Sequence, residues 1–235
     1  MLSSFDDSAR MSFIHRHQVR RPLVIAIGTV VLLGFAVELA HAASPAAWIE
    51  PWVSLFSLSY EQNVPTWLAS CLLFACAVLL TFIGIEAGRA PSSLKRYWYG
   101  LAAVFGYMSL DEFVGFHEHL SELMDLHGVL YFSWVVPAAV VVAIAGAAFV
   151  PFLRSLPPRT RRQFLIAGAI YVGGALGMEL PLGWWTEHAG NDNLVYALID
   201  GVEETMELVG TTLFLFALVE YLGAPAVVAA PEVGG

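Results

Sequence analysis

Long apolar blocks separated by short polar segments dominate the pattern along the chain. Six blocks of about 20 residues are long enough to cross a bilayer as helices. They cover residues 22–43, 64–87, 97–120, 129–153, 163–183 and 193–222. These runs lack the period-two alternation of an outer-membrane barrel, so they predict an all-α, polytopic integral membrane bundle of six transmembrane helices.

The basic residues occupy only alternate connections of this bundle. Four arginines precede the first block, three basic residues lie between the second and third, and four arginines lie between the fourth and fifth. Basic loops face the cytoplasm in membrane proteins. We therefore expect an inner (plasma) membrane protein with both termini in the cytoplasm and its basic-free loops outside.

The same pattern predicts three segments. Residues 1–21 form a basic cytoplasmic segment, residues 22–223 a six-helix transmembrane domain and residues 224–235 a flexible tail. An alternative remains open at the N-terminal end, because Ala40-His41-Ala42 after an apolar run resembles a signal-peptide cleavage site. Cleavage after Ala42 would leave five helices with the same orientation.

Composition narrows the function classes. Hydrophobic residues make up 58% of the chain and charged residues 13%, with a mean hydropathy of +0.69, which argues against a soluble domain. Eleven basic residues against 20 acidic ones argue against nucleic-acid binding. Cys71 and Cys76 lie in one apolar block on different helix faces, so we interpret them as core residues.

Acidic residues are the unusual feature of the apolar blocks. A carboxylate at the centre of a bilayer costs on the order of 3 kcal/mol, and all Lys and Arg residues lie on the predicted cytoplasmic side. Protonation, water, histidine pairing or bound cations must therefore compensate these acids. The nine carboxylates concerned are Glu38, Asp111, Glu112, Glu118, Glu179, Asp200, Glu203, Glu204 and Glu207.

Helical spacing places several of these acids on common faces. The four acids from Asp200 to Glu207 follow the spacing i, i+3, i+4 and i+7 on the sixth helix. On the third helix Asp111, Glu118 and Glu122 share a face. The depths of these acids in four helices overlap, so we expect one shared site that opens to the outer side.

Histidines close to these acids favour a metal site. Glu38-Leu-Ala-His41 has the Glu-x-x-His spacing of carboxylate-bridged di-metal bundles. Carboxylates with imidazoles suit iron, manganese or zinc. The primary ligands predicted are Asp111, Glu118, Glu204 and Glu207, followed by Asp200, Glu203, His117 and His119, with Glu112, Glu179, Glu38 and His41 as supplementary ligands.

A short resemblance favours iron among these metals. The segment Glu203-Glu204-Thr205-Met206-Glu207 resembles the Arg-Glu-x-x-Glu motif of the high-affinity iron permeases, over five residues and with Glu203 in the arginine position. The resemblance implies iron as the cation and transfers no residue role.

Three functions follow as hypotheses. The first is a metal-dependent enzyme, an oxidoreductase rather than a hydrolase, whose dinuclear site acts on a lipophilic small molecule from the bilayer. The second is a cation- or proton-coupled transporter, which also needs acids near the midplane. The third is a non-catalytic subunit of a homo-oligomer or larger membrane complex.

Overall fold

The computed structural model describes residues 3–87, 94–117 and 124–223, with side chains from residue 20 onward. Helices make up all the regular secondary structure of these residues. We number the α-helices in chain order: α1 Ser3–Ala43, α2 Glu50–Phe56, α3 Val64–Ala87, α4 Lys95–Val114, α5 Val135–Ser155, α6 Pro158–Val172, α7 Glu179–Ala189 and α8 Leu194–Leu222. A 3₁₀ turn at Gly128–Leu130 precedes α5, and a π-helical segment at Gly173–Met178 joins α6 to α7.

Five helical segments are long and apolar enough to cross a membrane. They are Arg20–Ala43, Val64–Ala87, Val135–Ser155, Pro158–Ala189 and Leu194–Leu222. The fold is therefore a helical bundle with the character of a multi-pass membrane protein. The predicted third span is present as helix α4, but it is not among the five, since charged residues stand near both of its ends and tyrosines lie along it.

The third helix also ends earlier than predicted. The sequence pattern extended it to residue 120, whereas α4 ends at Val114 and Gly115 caps it in the left-handed region with φ of 68°. Glycine adopts this conformation without the steric cost of a Cβ atom. The single helix on which Asp111, Glu118 and Glu122 were predicted to share a face is therefore interrupted at Gly115, and Glu118 and Glu122 lie outside the described residues.

The other predicted boundaries differ less. The prediction for α3 is confirmed at both ends, and the prediction for α8 is one residue too long at its start. The predicted block 129–153 becomes α5, which starts six residues later because the 3₁₀ turn precedes it. The predicted block 163–183 lies inside the longer helical rod 158–189, and the block 22–43 is the second half of α1.

Helix α8 lies at the centre of the bundle. It packs against α1, α3, α6 and α7, and α3 packs along α4. The α3–α4 pair is joined by reciprocal hydrogen bonds, since the Ser70 hydroxyl donates to the Ser109 carbonyl (2.7 Å) and the Ser109 hydroxyl to the Ser70 carbonyl (2.9 Å). Helix α5 lies at the periphery, and its only buried residues are Val135 and Phe152.

The bundle has two chemically different ends. We call the end that contains Arg20, Lys95 and Arg159 the basic end and the opposite end the acidic end. At the basic end Glu220 forms ion pairs with Arg20 and Arg159 and accepts a hydrogen bond from Gln163 (2.9 Å). The fully buried ring of Trp98 packs there against the rings of Phe152, Phe164 and Tyr221.

The π-helical segment sets the separation of α6, α7 and α8. A Cβ atom on Gly174 would lie 2.9 Å from the Glu203 carbonyl oxygen, and one on Gly210 would lie 2.8 Å from the Tyr171 nitrogen. Real Cβ atoms essentially never come this close, so glycine is what permits these backbone contacts. The π geometry, which is common next to functional sites, therefore brings its backbone directly against the acidic stretch of α8.

Candidate acidic site at one end of the bundle

Helix α8 supplies the largest set of acids at the acidic end. Asp200, Glu203, Glu204 and Glu207 lie on consecutive turns, and each interacts electrostatically with acids of other helices or of its own. The i, i+3, i+4, i+7 spacing explains why one helix can present all four to a common region. The sequence analysis predicted this stripe, and the helix runs uninterrupted through it.

Helix α4 brings a second group to the same region. Glu112 lies within electrostatic range of Glu207 and Glu204, and Asp111 lies within range of Glu207. After the Gly115 cap, the chain returns so that the backbone nitrogen of His117 donates to Asp111 Oδ1 (3.2 Å) and His117 Nδ1 lies 3.0 Å from Asp111 Oδ2. This imidazole also lies within electrostatic range of Glu207 and Glu179.

Glu179 at the start of α7 completes the arrangement. Its side chain is buried, and its Oε1 accepts a hydrogen bond from Trp134 Nε1 (2.9 Å). It lies within electrostatic range of Glu203, which is buried as well. We call this set the acid cluster: Asp111, Glu112, His117, Glu179, Asp200, Glu203, Glu204 and Glu207.

Two carboxylate oxygens of the acid cluster have unused hydrogen-bonding capacity. Glu179 is 8% exposed and Glu203 is 6% exposed, and Oε2 of each has no hydrogen-bond partner among the described residues. A buried polar atom without a partner costs about 1–3 kcal/mol, and more if it is charged. Two such atoms on facing helices could each accept a hydrogen bond from a protonated group or a water molecule, or contact a cation.

Two aromatic side chains hold these acids in place, and the sequence analysis did not identify either. The Tyr171 hydroxyl donates to Glu207, and the Trp134 ring also packs over the His117 ring with centroids 4.9 Å apart. Tyr171 lies on α6 and Trp134 in the turn before α5, and they are 36 and 45 residues away from the acids they contact. The only indication in the sequence is that each residue has a hydrogen-bond donor, the Tyr171 hydroxyl or Trp134 Nε1, and lies inside an apolar block. Glu61, from the α2–α3 connection, also lies within electrostatic range of Glu112.

The predicted ligands do not all meet here. Glu38 and His41 of α1 line a separate cavity, where Glu38 accepts a hydrogen bond from Ser57 and His41 Nδ1 lies 3.4 Å from Glu50 Oε1. Glu118 and His119 lie outside the described residues. Of the twelve predicted ligands, the structure therefore brings eight into the acid cluster and places two elsewhere.

The described residues contain no group of three or more His, Cys, Asp or Glu side chains arranged to hold a metal ion. The acids of the cluster instead have individual partners such as Tyr171, Trp134 and His117. The metal-binding prediction thus has no support from ligand geometry in this part of the chain. The supporting observation is the collection of acids itself.

Comparison with known proteins gives a family without an activity. No curated protein and no solved structure matches the chain. One family matches residues 23–222, which cover every helix from the apolar part of α1 to the end of α8. The chain therefore belongs to the family described as Domain of unknown function (DUF8692).

Proposed function

We propose that this protein is a metal-dependent membrane enzyme whose acid cluster binds divalent cations near the outer face of the inner membrane. Both termini are cytoplasmic in this proposal, and the substrate is a lipophilic small molecule that enters between helices. One observation carries the proposal. Acids from α4, α7 and α8 converge in an apolar bundle, while the Lys and Arg side chains that the structure describes lie at its other end.

The energetic argument favours a cation over bare acids. At about 3 kcal/mol each, several ionised and unpaired carboxylates would cost more than the 5–15 kcal/mol that stabilises a typical domain. A single imidazole, His117, cannot neutralise the seven carboxyl groups of the cluster. Divalent cations bridged by carboxylates would do so, as they do in dinuclear helical bundles.

Iron is the favoured metal, with manganese or zinc as the other oxygen- and nitrogen-binding candidates. The donors on the described residues would be Glu112, Glu204 and Glu207, with Glu118 and His119 completing the set. When bound, such a metal supplies a Lewis acid or a redox centre. We favour an oxidoreductase over a hydrolase, because the chain lacks the His-Glu-x-x-His motif of zinc hydrolases.

The chain's own residues would orient the donors. Tyr171 donates to Glu207 and fixes the rotation of its carboxyl group, and Trp134 does the same for Glu179. His117 is held by Asp111 through both its backbone nitrogen and its ring, which places a proton carrier at the edge of the cluster. Hydrogen bonds of this kind set the orientation and basicity of metal-ligating groups.

The test is the metal content of the detergent-purified full chain by elemental mass spectrometry. We expect about two equivalents of iron, manganese or zinc in the wild type, as in carboxylate-bridged bundles, and loss of the metal in a Glu204→Gln/Glu207→Gln variant. Glu86→Gln at the basic end is the matched control and should keep the metal. A monodisperse wild type that stays metal-free after incubation with each metal would contradict the proposal.

Proton- or cation-coupled transport is the second candidate. The observation that favours it is that Asp111, Glu179 and Glu207 each have an individual hydrogen-bond partner and that the described acids form no three-ligand group. Acids arranged in this way can carry protons along a pathway. Reconstituted vesicles with an internal pH dye distinguish it: transport predicts proton flux that Glu203→Gln abolishes, whereas the enzyme predicts none. A metal-free wild type that also moves no ions would favour the non-catalytic subunit of a membrane complex.

A further inference from the structure

A second polar feature lies at the acidic end, apart from the acid cluster. It is a cavity of about 240 Å³ between the end of α1, the α2–α3 connection and the start of α8. We call it the Tyr60 cavity, and its polar lining includes Glu38, His41, Ser59, Tyr60, Asp192 and Tyr196. Pockets for drug-sized ligands are commonly about 300–1,000 Å³, so this volume suits a small polar group.

The lining of the Tyr60 cavity is negative and aromatic. Two carboxylates and two phenol rings line it, and the residues around it include no Lys or Arg. Tyr60 responds to this charge: partial burial raises the pKa of its phenol above the ordinary value of 10, and Glu38, Asp192 and Glu50 raise that pKa further. Such a surface repels anions and attracts cations.

The walls of the cavity are held by hydrogen bonds from outside it. Ser57, fully buried, donates to Glu38, and its Oγ accepts from the Ser59 nitrogen (3.1 Å). Asn193 caps α8 by accepting from the Tyr196 nitrogen (3.1 Å), and its Oδ1 also accepts from Trp185 Nε1 (2.8 Å). The cavity is thus preorganised on both sides, which reduces the entropic cost of binding.

One lining atom has no hydrogen-bond partner within the described chain. His41 Nδ1 is buried, and although it lies 3.4 Å from Glu50 Oε1 it forms no hydrogen bond there. The residues that line the cavity all fall in the described ranges, and no three of their carboxylates and imidazoles are arranged to hold a metal ion. The chemistry that fits two carboxylates beside two tyrosines is therefore an organic cation rather than a metal.

We propose that the Tyr60 cavity binds an organic ammonium group, with Glu38 and Asp192 as counter-charges and Tyr60 and Tyr196 as aromatic contacts. Carboxylates and tyrosine faces together form the usual environment of protein-bound ammonium groups. The group comes either from an amine-bearing lipid headgroup or from a free amine, because exposed Trp48 and Trp52 nearby are typical of a membrane interface. This binding site requires neither a metal nor the enzyme activity proposed above.

The test uses the full chain in nanodiscs that contain only phosphatidylglycerol. Ethanolamine and choline are titrated by isothermal calorimetry, and native mass spectrometry measures retention of phosphatidylethanolamine from mixed nanodiscs. We expect saturable binding that weakens about tenfold or more in Glu38→Gln/Asp192→Asn. Asp125→Asn, at the same end and 98% exposed, removes one charge away from the cavity and should bind as the wild type does.

Some outcomes identify the source of the amine, and others would overturn the proposal. Binding of the soluble amines identifies a free amine, and retention of the lipid alone identifies a headgroup; either supports the site. Tyr60→Ala provides a second variant that leaves both carboxylates in place and should also weaken binding. A folded wild type that binds neither form, binding that a chelator abolishes, or equal binding in all variants would overturn the proposal.

Discussion

The two ends of the bundle contain the same residue type in opposite circumstances. At the basic end Glu220 has two arginine partners and a hydrogen bond from Gln163. At the acidic end Glu203 is buried next to other acids, and its Oε2 has no hydrogen-bond partner among the described residues. Both glutamates lie on helix α8, so the difference arises from what packs against it.

This difference separates a structural acid from a functional one. A buried or half-buried carboxylate that is fully paired can be explained by packing alone. A set of acids that lie close to one another costs stability, and within membranes such a set is a candidate for a functional site. The ion pairs of Glu220 therefore stabilise the basic end, whereas the acid cluster is the candidate site for function.

Glycine substitutions give the largest expected difference between the two ends. A Cβ on Gly174 would lie 2.9 Å from the Glu203 backbone, whereas a Cβ on Gly84 at the basic end would lie 2.9 Å from the ring of Tyr99, which is 42% exposed. We expect Gly174→Ala to destabilise by about 1–3 kcal/mol, because neither helix backbone can move away. Gly84→Ala should be close to neutral, since the tyrosine ring can rotate.

Thermal unfolding of the two glycine variants, followed by fluorescence-detected size exclusion, checks this prediction. Gly168→Ala is the control for the substitution itself, because nothing lies within 4 Å of its Cβ position. Equal melting temperatures for Gly174→Ala and Gly168→Ala would show that the π-helical segment does not press against α8 as described.

The sequence predicted the acids but not their partners. The helix ends show the reason, because some of them are determined by local sequence and others by contacts with distant residues. Both ends of α3 could be predicted from the local sequence. The helix begins at the segment Asn63-Val64-Pro65 and continues as long as the sequence stays apolar. The end of α4 depends on Gly115, which has a positive φ, whereas the apolar pattern of the sequence continues beyond it. The π-helical segment depends on contacts with α8, so a local pattern cannot reveal it.

The acid cluster shows the same difference between what local sequence can predict and what it cannot. Spacing along α8 was sufficient to place four acids on one face, and the distribution of Lys and Arg in the sequence was sufficient to predict that these basic residues lie at the other end of the helices. Tyr171 and Trp134 could not be found in this way, since their contacts join segments far apart in the sequence. The prediction that Glu38 and His41 belong to the shared site is wrong, because the depth of a residue along a helix does not determine which side of the helix its side chain occupies.

Neutralising one glutamate at each end should change stability in opposite directions. We expect Glu220→Gln to destabilise by about 1–2 kcal/mol, because Arg20 and Arg159 lose their ionised partner. Glu203→Gln in chelator-treated protein should be neutral or stabilising, because it removes an acid whose electrostatic neighbours among the described residues are other acids. Melting temperatures at pH 7 in one detergent provide the measurement. Destabilisation of both variants by similar amounts would mean that Glu203 has a compensating partner and would remove the contrast between the ends.

The smallest expected effect comes from the hydrogen bond that holds Glu179. Trp134→Phe keeps a ring over His117 and removes the Nε1 donor (2.9 Å from Glu179 Oε1), leaving a second oxygen of this buried carboxyl without a partner. We expect a loss of about 1 kcal/mol in unfolding free energy, together with weaker metal retention if the cluster binds metal. Trp184→Phe is the matched control, since its ring is 47% exposed and stacks on His188. If both tryptophan variants behave alike in melting and metal retention, the Trp134 hydrogen bond does not position Glu179, and the acid cluster is held by helix packing alone.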